Sequence, residues 1–127
     1  LAVAASIANL NVLKDEGLVE RAERLGSWFI PDLQRIQRLY PSVLGCFQGK
    51  GMVAGIQAVK AGTKTPDPAL ALKINLACLY RGLLMFAPVG ISGECIKIAP
   101  PLAIEEDALR ESVAVFEEAV HSVLKGA

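Results

Sequence analysis

Ile96-Lys97-Ile98-Ala99-Pro100-Pro101-Leu102-Ala103-Ile104 sets a short strand against a hard stop, ahead of a long helix. From Cys95 to Ile98 the residues alternate, with Lys97 between two isoleucines, as in a strand whose two faces differ. Pro100 and Pro101 lack a backbone N–H and forbid the ladder to continue. From Glu106 to Lys125 the apolar spacing changes to three and four residues. Leu109, Val113, Phe116, Val120 and Leu124 make one helical stripe. The acidic start (Glu105, Glu106, Asp107) and Lys125 near the end both suit the helix dipole, and Gly126 supplies a C-cap.

Upstream, Leu83 to Phe86 reads as another short strand, joined to the first by the Gly-rich loop Pro88 to Gly93. Pro68 to Tyr80 reads as a helix with Leu70, Ile74, Ala77 and Cys78 inward and Gly82 as its stop; Thr63 to Pro68 is a polar loop. Val43 to Gln48 and Met52 to Val59 form a predicted hairpin whose turn uses Gly49, Lys50 and Gly51. Before it, Leu18, Ala22, Leu25, Phe29, Leu33, Ile36 and Leu39 recur at helical spacing, opposite Glu20, Arg21, Glu23, Arg24, Gln34 and Arg38. Pro31 falls inside this helix and predicts a kink or a split; Pro41 ends it. Residues 1–14 are Ala-rich and apolar on every side, which predicts a helix buried all round, and Asp15, Glu16 and Gly17 break the run. The expected order is therefore ααββαββα, an α+β fold with a short-stranded sheet covered by helices. No internal repeat appears, and residues 1–127 read as one domain.

Composition narrows the function classes. Lys plus Arg number 13 and Asp plus Glu 13, so no basic field exists to hold a phosphate backbone, and nucleic acid is not an expected partner. Hydrophobic residues make up 53% of the chain, yet no run reaches the roughly 18 apolar residues of a membrane span. The first residues carry no basic segment, initiator Met or cleavage site, so no signal peptide is expected. Apolar excess without a membrane signal points to surface covered by another domain or subunit. Cys46, Cys78 and Cys95 are odd in number and widely spaced, which argues against a disulfide framework and for a reducing, cytoplasmic setting. With one His and no C-x-x-C, no metal site is expected.

Few residues offer chemistry. Gly49, Gly51 and Gly55 are spaced one residue too widely for a dinucleotide loop and lie between strands, so they read as turn geometry. His121 lies beside the last helix's stripe and has no Ser or Asp partners with which to build a triad. Cys95 reads as a small buried hydrophobe before it reads as a thiol nucleophile. The pairs Glu105 and Glu106, Glu117 and Glu118 fall at a helix end or on a solvated face. Lys97 stands opposite two isoleucines on its strand, so its face is either solvent or a cleft.

Four motifs in order resemble the C-terminal small domain of class III aminotransferases. Ala4-Ala5-Ser6-Ile7-Ala8-Asn9-Leu10, followed by Lys14-Asp15-Glu16-Gly17-Leu18, resembles the family's "AAALAVL…EEGL" helix. Phe47-Gln48-Gly49-Lys50-Gly51-Met52-Val53-Ala54-Gly55-Ile56-Gln57 is similar to its hairpin "VRGxGLxxGIE", and Arg81-Gly82-Leu83-Leu84 to its "RGLL" step. Ile96 to Ile104 resembles "IRxAPPLxI", the most specific of the four.

The resemblance implies a fold type I pyridoxal-phosphate enzyme that moves an amino group between an amine or amino acid and a 2-oxo acid. It implies two identical subunits that share the active site. The cofactor-bearing lysine, the aspartate on the pyridine nitrogen and the phosphate-binding groups then belong to a large domain outside this chain. The chain is expected to be an inactive fragment, with no catalytic and no cofactor-binding residue of its own. Lys97 and Gln48 are the implied substrate-binding residues, each standing where the family has arginine. Lysine offers a point charge where arginine offers a planar fork, so the usual carboxylate grip is altered. Substrates that lack a carboxylate remain open, as do a racemase or lyase on the same scaffold and a non-catalytic dimerisation or ligand-binding module.

Overall fold

In the computed structural model, which describes residues 1–126, the two amphipathic stripes become the helical half of the core. Helix α1 spans Ala2–Asp15 and α2 Leu18–Leu39, α3 Pro68–Leu79 and α4 Glu106–Lys125. Strands β1 (Leu44–Lys50), β2 (Val53–Ala58) and β3 (Cys95–Ile98) form one antiparallel sheet in the order β1-β2-β3. Leu25, Phe29, Leu33 and Ile36 of α2 pack with Leu109, Val113, Phe116 and Val120 of α4. The sheet contributes Ala54, Ile56 and Ile96, and α3 contributes Ala71, Ile74 and Cys78. None of the described helices is long and apolar enough to cross a membrane.

Local chemistry explains where the elements begin and turn. Asp67 caps α3 by accepting from the Leu70 N–H at 3.0 Å, with Pro68 in the first turn. Lys50 pairs with Val53, leaving Gly51 and Met52 as a tight two-residue turn, and Gly51 takes the positive φ (+57°) that the turn needs. Helix α2 presses on that turn: a Cβ on Gly26 would lie 2.6 Å from the Gly51 carbonyl oxygen. A β-bulge in β1 between Leu44 and Phe47 frees two carbonyls, Leu44 and Gly45, and the Gln37 side-chain amide donates to both at 2.6 and 2.9 Å. Arg21 ties the loop ahead of α4 to α2 by donating to the carbonyls of Leu102 and Ile104. Trp28 of α2 is half-buried between Phe29, edge-on at 6.0 Å, and the Arg110 guanidinium of α4, 4.2 Å above its ring.

Three expectations are corrected. Leu83 to Phe86 is extended but is not a strand, so the observed order is ααββαβα and the sheet has three strands. The Phe86 carbonyl accepts from the Asn75 side-chain amide at 2.7 Å instead of from a neighbouring strand, and a cavity separates this segment from β3. Pro31 does not split α2. It lies on the exposed face, as does Ser27, the residue whose carbonyl a Pro at 31 cannot pair, while Phe29 and Leu33 on either side are buried. Finally, α1 has no buried residue; Val3, Ile7 and Leu10 are 72, 55 and 62% exposed, and α2 is the only element it touches among the described residues. Its apolar surface has no cover within residues 1–126.

Candidate functional site

The two faces of the sheet differ in kind. Ala54, Ile56 and Ile96 turn into the core, so the residues alternating with them turn the other way. Gln48 pairs with Gly55, and Gly55 with Lys97, so the three stand in one row across β1, β2 and β3 and share a face. Gly55 has no side chain, which leaves a gap between the amide and the ammonium. A Cβ at Gly55 would meet the Cys95 sulfur at 3.1 Å, which places Cys95 on the same face. Gln48, Gly49, Lys50, Val53, Gly55 and Lys97 line a shallow groove there.

Lys97 also belongs to a second space. Around the open edge of β3 lies a cavity of about 570 Å³, walled by Phe29, Leu33, Met85, Ile98, Val113 and Phe116 among others. Lys97 and Ser112 are the polar side chains on its lining. Lys97 is half-buried, and its Nζ stands 4.6 Å from the centroid of the Phe86 ring. Among the described residues it enters no ion pair. Glu94, the nearest acid in sequence, is curled into its own loop. It is 8% exposed and accepts from the Ser92 N–H at 2.9 Å, with Gly90 folded against its carboxylate. A cation without a counterion thus sits where an apolar cavity meets a polar groove.

Other candidates lie away from this face or are occupied by structural bonds. His121 is half-buried at the edge of α4, its Nδ1 2.5 Å from the Tyr40 hydroxyl. Glu117 binds Arg35 through two contacts of 2.7 and 2.6 Å, and Glu106 joins Arg110 and Arg24. Hydrogen bonding to these arginines holds both carboxyls below the usual range. Burial pushes the Cys78 thiol up to about 11 and raises that of Cys95, so both are held as thiols; Cys46 is exposed. Gly49, Lys50 and Gly51 are strand end and turn, as their spacing suggested.

Sequence reasoning put forward Lys97 and Gln48, and the register places them two strands apart on one face. It did not mark Phe86, and it read Gly55 only as turn geometry beside Gly49 and Gly51. The gap at Gly55 was readable in principle, because a glycine inside a strand signals close approach or open space. The Phe86 contact was not, since it depends on a segment that forms no regular element.

The family model described as aminotransferase class-III matches residues 1–120. The chain belongs to the class III aminotransferases. It is 36% identical over 118 residues to the mitochondrial ornithine aminotransferase of Oryza sativa subsp. japonica, covering 93% of this chain and 24% of that protein. It is 28% identical over 123 residues to an alanine/serine racemase of Pyrococcus horikoshii, covering 97% of this chain and 25% of that one. Among solved structures, a phospholyase from Arthrobacter in complex with phosphoethanolamine superposes with a TM-score of 0.81 at 28% identity, over 94% of this chain and 28% of that one. The chain thus spans about a quarter of the length of the curated relatives it matches.

The family implies pyridoxal phosphate, but the described residues of this class III chain do not by themselves fit it. Lys14, Lys50, Lys60, Lys64, Lys73 and Lys125 are exposed, and no cluster of donors for a phosphate surrounds half-buried Lys97. Any cofactor site must draw on residues beyond these.

Proposed function

We propose that this chain is the small domain of a pyridoxal-phosphate-dependent class III aminotransferase. The whole enzyme transfers an amino group between an amine or amino acid and a 2-oxo acid. Pyridoxal phosphate, held outside this chain, supplies the electron sink for that chemistry. This chain supplies one wall of the substrate pocket, with Lys97 attracting an acidic group and Gln48 offering an amide across the gap at Gly55. The observation that carries the reading is this Gln48–Gly55–Lys97 row, with an ammonium that enters no ion pair among the described residues. The uncovered apolar surface of α1 supports a place against the enzyme's own large domain or a second identical subunit. Three free cysteines, one exposed, support a reducing cytoplasmic setting.

Replacing Lys97 with Ala in the whole enzyme tests the reading. A charge-assisted hydrogen bond is worth about 1.5–3 kcal/mol, so KM for a carboxylate-bearing amino donor is expected to rise roughly ten- to a hundredfold. Unchanged KM and kcat would remove Lys97 from the pocket. The racemase and phospholyase likenesses keep a second reading on this scaffold. Product analysis with and without an added 2-oxo acid separates the two, because only transamination consumes the acceptor.

A further inference from the structure

The geometry points to Phe86 as the positioning residue for Lys97, an inference that rests on the reading of Lys97 as a ligand for an anionic group. Lysine carries its charge on a long stem with roughly 2 kcal/mol of rotamer entropy, so an unanchored ammonium spreads over many positions. Among the described residues no carboxylate holds Lys97, and the Glu94 carboxylate is bound within its own loop. The Phe86 ring face is the anchor on the ammonium among the described residues, at 4.6 Å.

The choice of anchor matters. A carboxylate partner would neutralise Lys97 and occupy its donors, so an incoming anion would have to displace it. A ring face attracts the charge and leaves the N–H groups directed elsewhere free to donate. Phe86 itself is fixed through its backbone, where the Asn75 amide of α3 holds its carbonyl at 2.7 Å, while the residue as a whole is 55% exposed. The pair therefore holds the Lys97 side-chain nitrogen at the junction of the cavity and the Gln48 groove.

The test measures Kd for valerate, a carboxylate with a short apolar chain, on the whole enzyme by calorimetry. The variants are Phe86→Leu, Phe86→Met, Phe86→Tyr, Lys97→Ala and the double variant Phe86→Leu with Lys97→Ala. A cation–π contact of this exposed kind corresponds to about a two- to fivefold change in an equilibrium constant. Phe86→Leu is expected to weaken valerate by that factor, while Phe86→Tyr, which keeps the ring, binds as the parent does. The double variant should bind no worse than Lys97→Ala, since Phe86 then has nothing to position. The Lys97 ε-methylene protons should also resonate upfield in the parent and return to ordinary values in Phe86→Leu. If Phe86→Leu misfolds, Phe86→Met is the unringed variant to read.

Equal Kd for Phe86→Leu and the parent, beside a weak Lys97→Ala, overturns the positioning role and leaves Lys97 as the ligand. An equal penalty from Phe86→Leu with or without Lys97 also overturns it, because Phe86 would then act on valerate directly. Lys97→Ala binding as the parent does, or a parent that binds no valerate, overturns the reading of Lys97 and this inference with it.

Discussion

Helix α1 and the pair α2 and α4 answer the same hydrophobic effect in opposite ways. Residues of α4 alternate between a five-residue buried stripe and charged positions, so one face meets α3 and α2 and the other meets water. Helix α1 is apolar nearly all round and buries nothing within the described residues. A stripe states which neighbour it needs, whereas uniform apolarity states only that cover is needed and not where the cover comes from. Helices α2 and α4 supply most of the helical core, α3 adds Ala71, Ile74 and Cys78, and α1 stands outside it.

Substitutions can break that comparison, and the largest effect belongs to α4. Phe116 is 2% exposed at the centre of the core, so Phe116→Ala should lower the unfolding free energy of the 127-residue chain by about 3–5 kcal/mol in urea titrations. A loss below 1 kcal/mol would show that the α2–α4 contact is not the core. Gly26→Ala comes next, with an expected cost of about 1–3 kcal/mol, because its Cβ would meet backbone of the hairpin turn and not a yielding side chain. No change in the urea midpoint would mean that the turn and α2 lie further apart.

A smaller effect belongs to the ion pair on the outer faces of α2 and α4. Glu117→Gln should cost under about 1 kcal/mol at neutral pH, since half of the Arg35 side chain is solvated. Arg35 lowers the Glu117 carboxyl below its ordinary 4.5, so the pair stabilises the fold above that value and its contribution fades as the folded carboxyl protonates. The gap between parent and Glu117→Gln should thus narrow as the pH falls below the ordinary 4.5; a gap that widens there would reverse the assignment. The smallest effect belongs to α1: Ile7→Ser should change the stability of this chain by no more than about 0.5 kcal/mol. A loss above 1 kcal/mol would show that α1 is packed within the chain after all.

Where the sequence was legible, the signal was local. The α2 and α4 stripes, the Gly51 turn and the Pro100-Pro101 stop each follow from spacing or from one residue's backbone chemistry. Lys97 and Gln48 were legible as substitutions within a resembled motif, and period-two geometry then put them on one face. Leu83 to Phe86 misled because a short apolar run has the same appearance whether or not a strand pairs with it. Pro31 misled because the packing of Phe29 and Leu33 outweighs the lost hydrogen bond. The Arg21 and Gln37 bonds to backbone carbonyls, the curled Glu94 and the Lys97–Phe86 contact all join a side chain to a partner outside its own helix or strand, or turn it back on its loop. No spacing rule records such contacts.

Trp28 gives the chain a built-in fluorophore. It is the single tryptophan, it belongs to α2, and its ring is capped by Arg110 of α4. Separation of the two helices would uncover the indole and shift its emission to the red. The helix junction can therefore be watched optically in the unlabelled protein, against a background with no second indole.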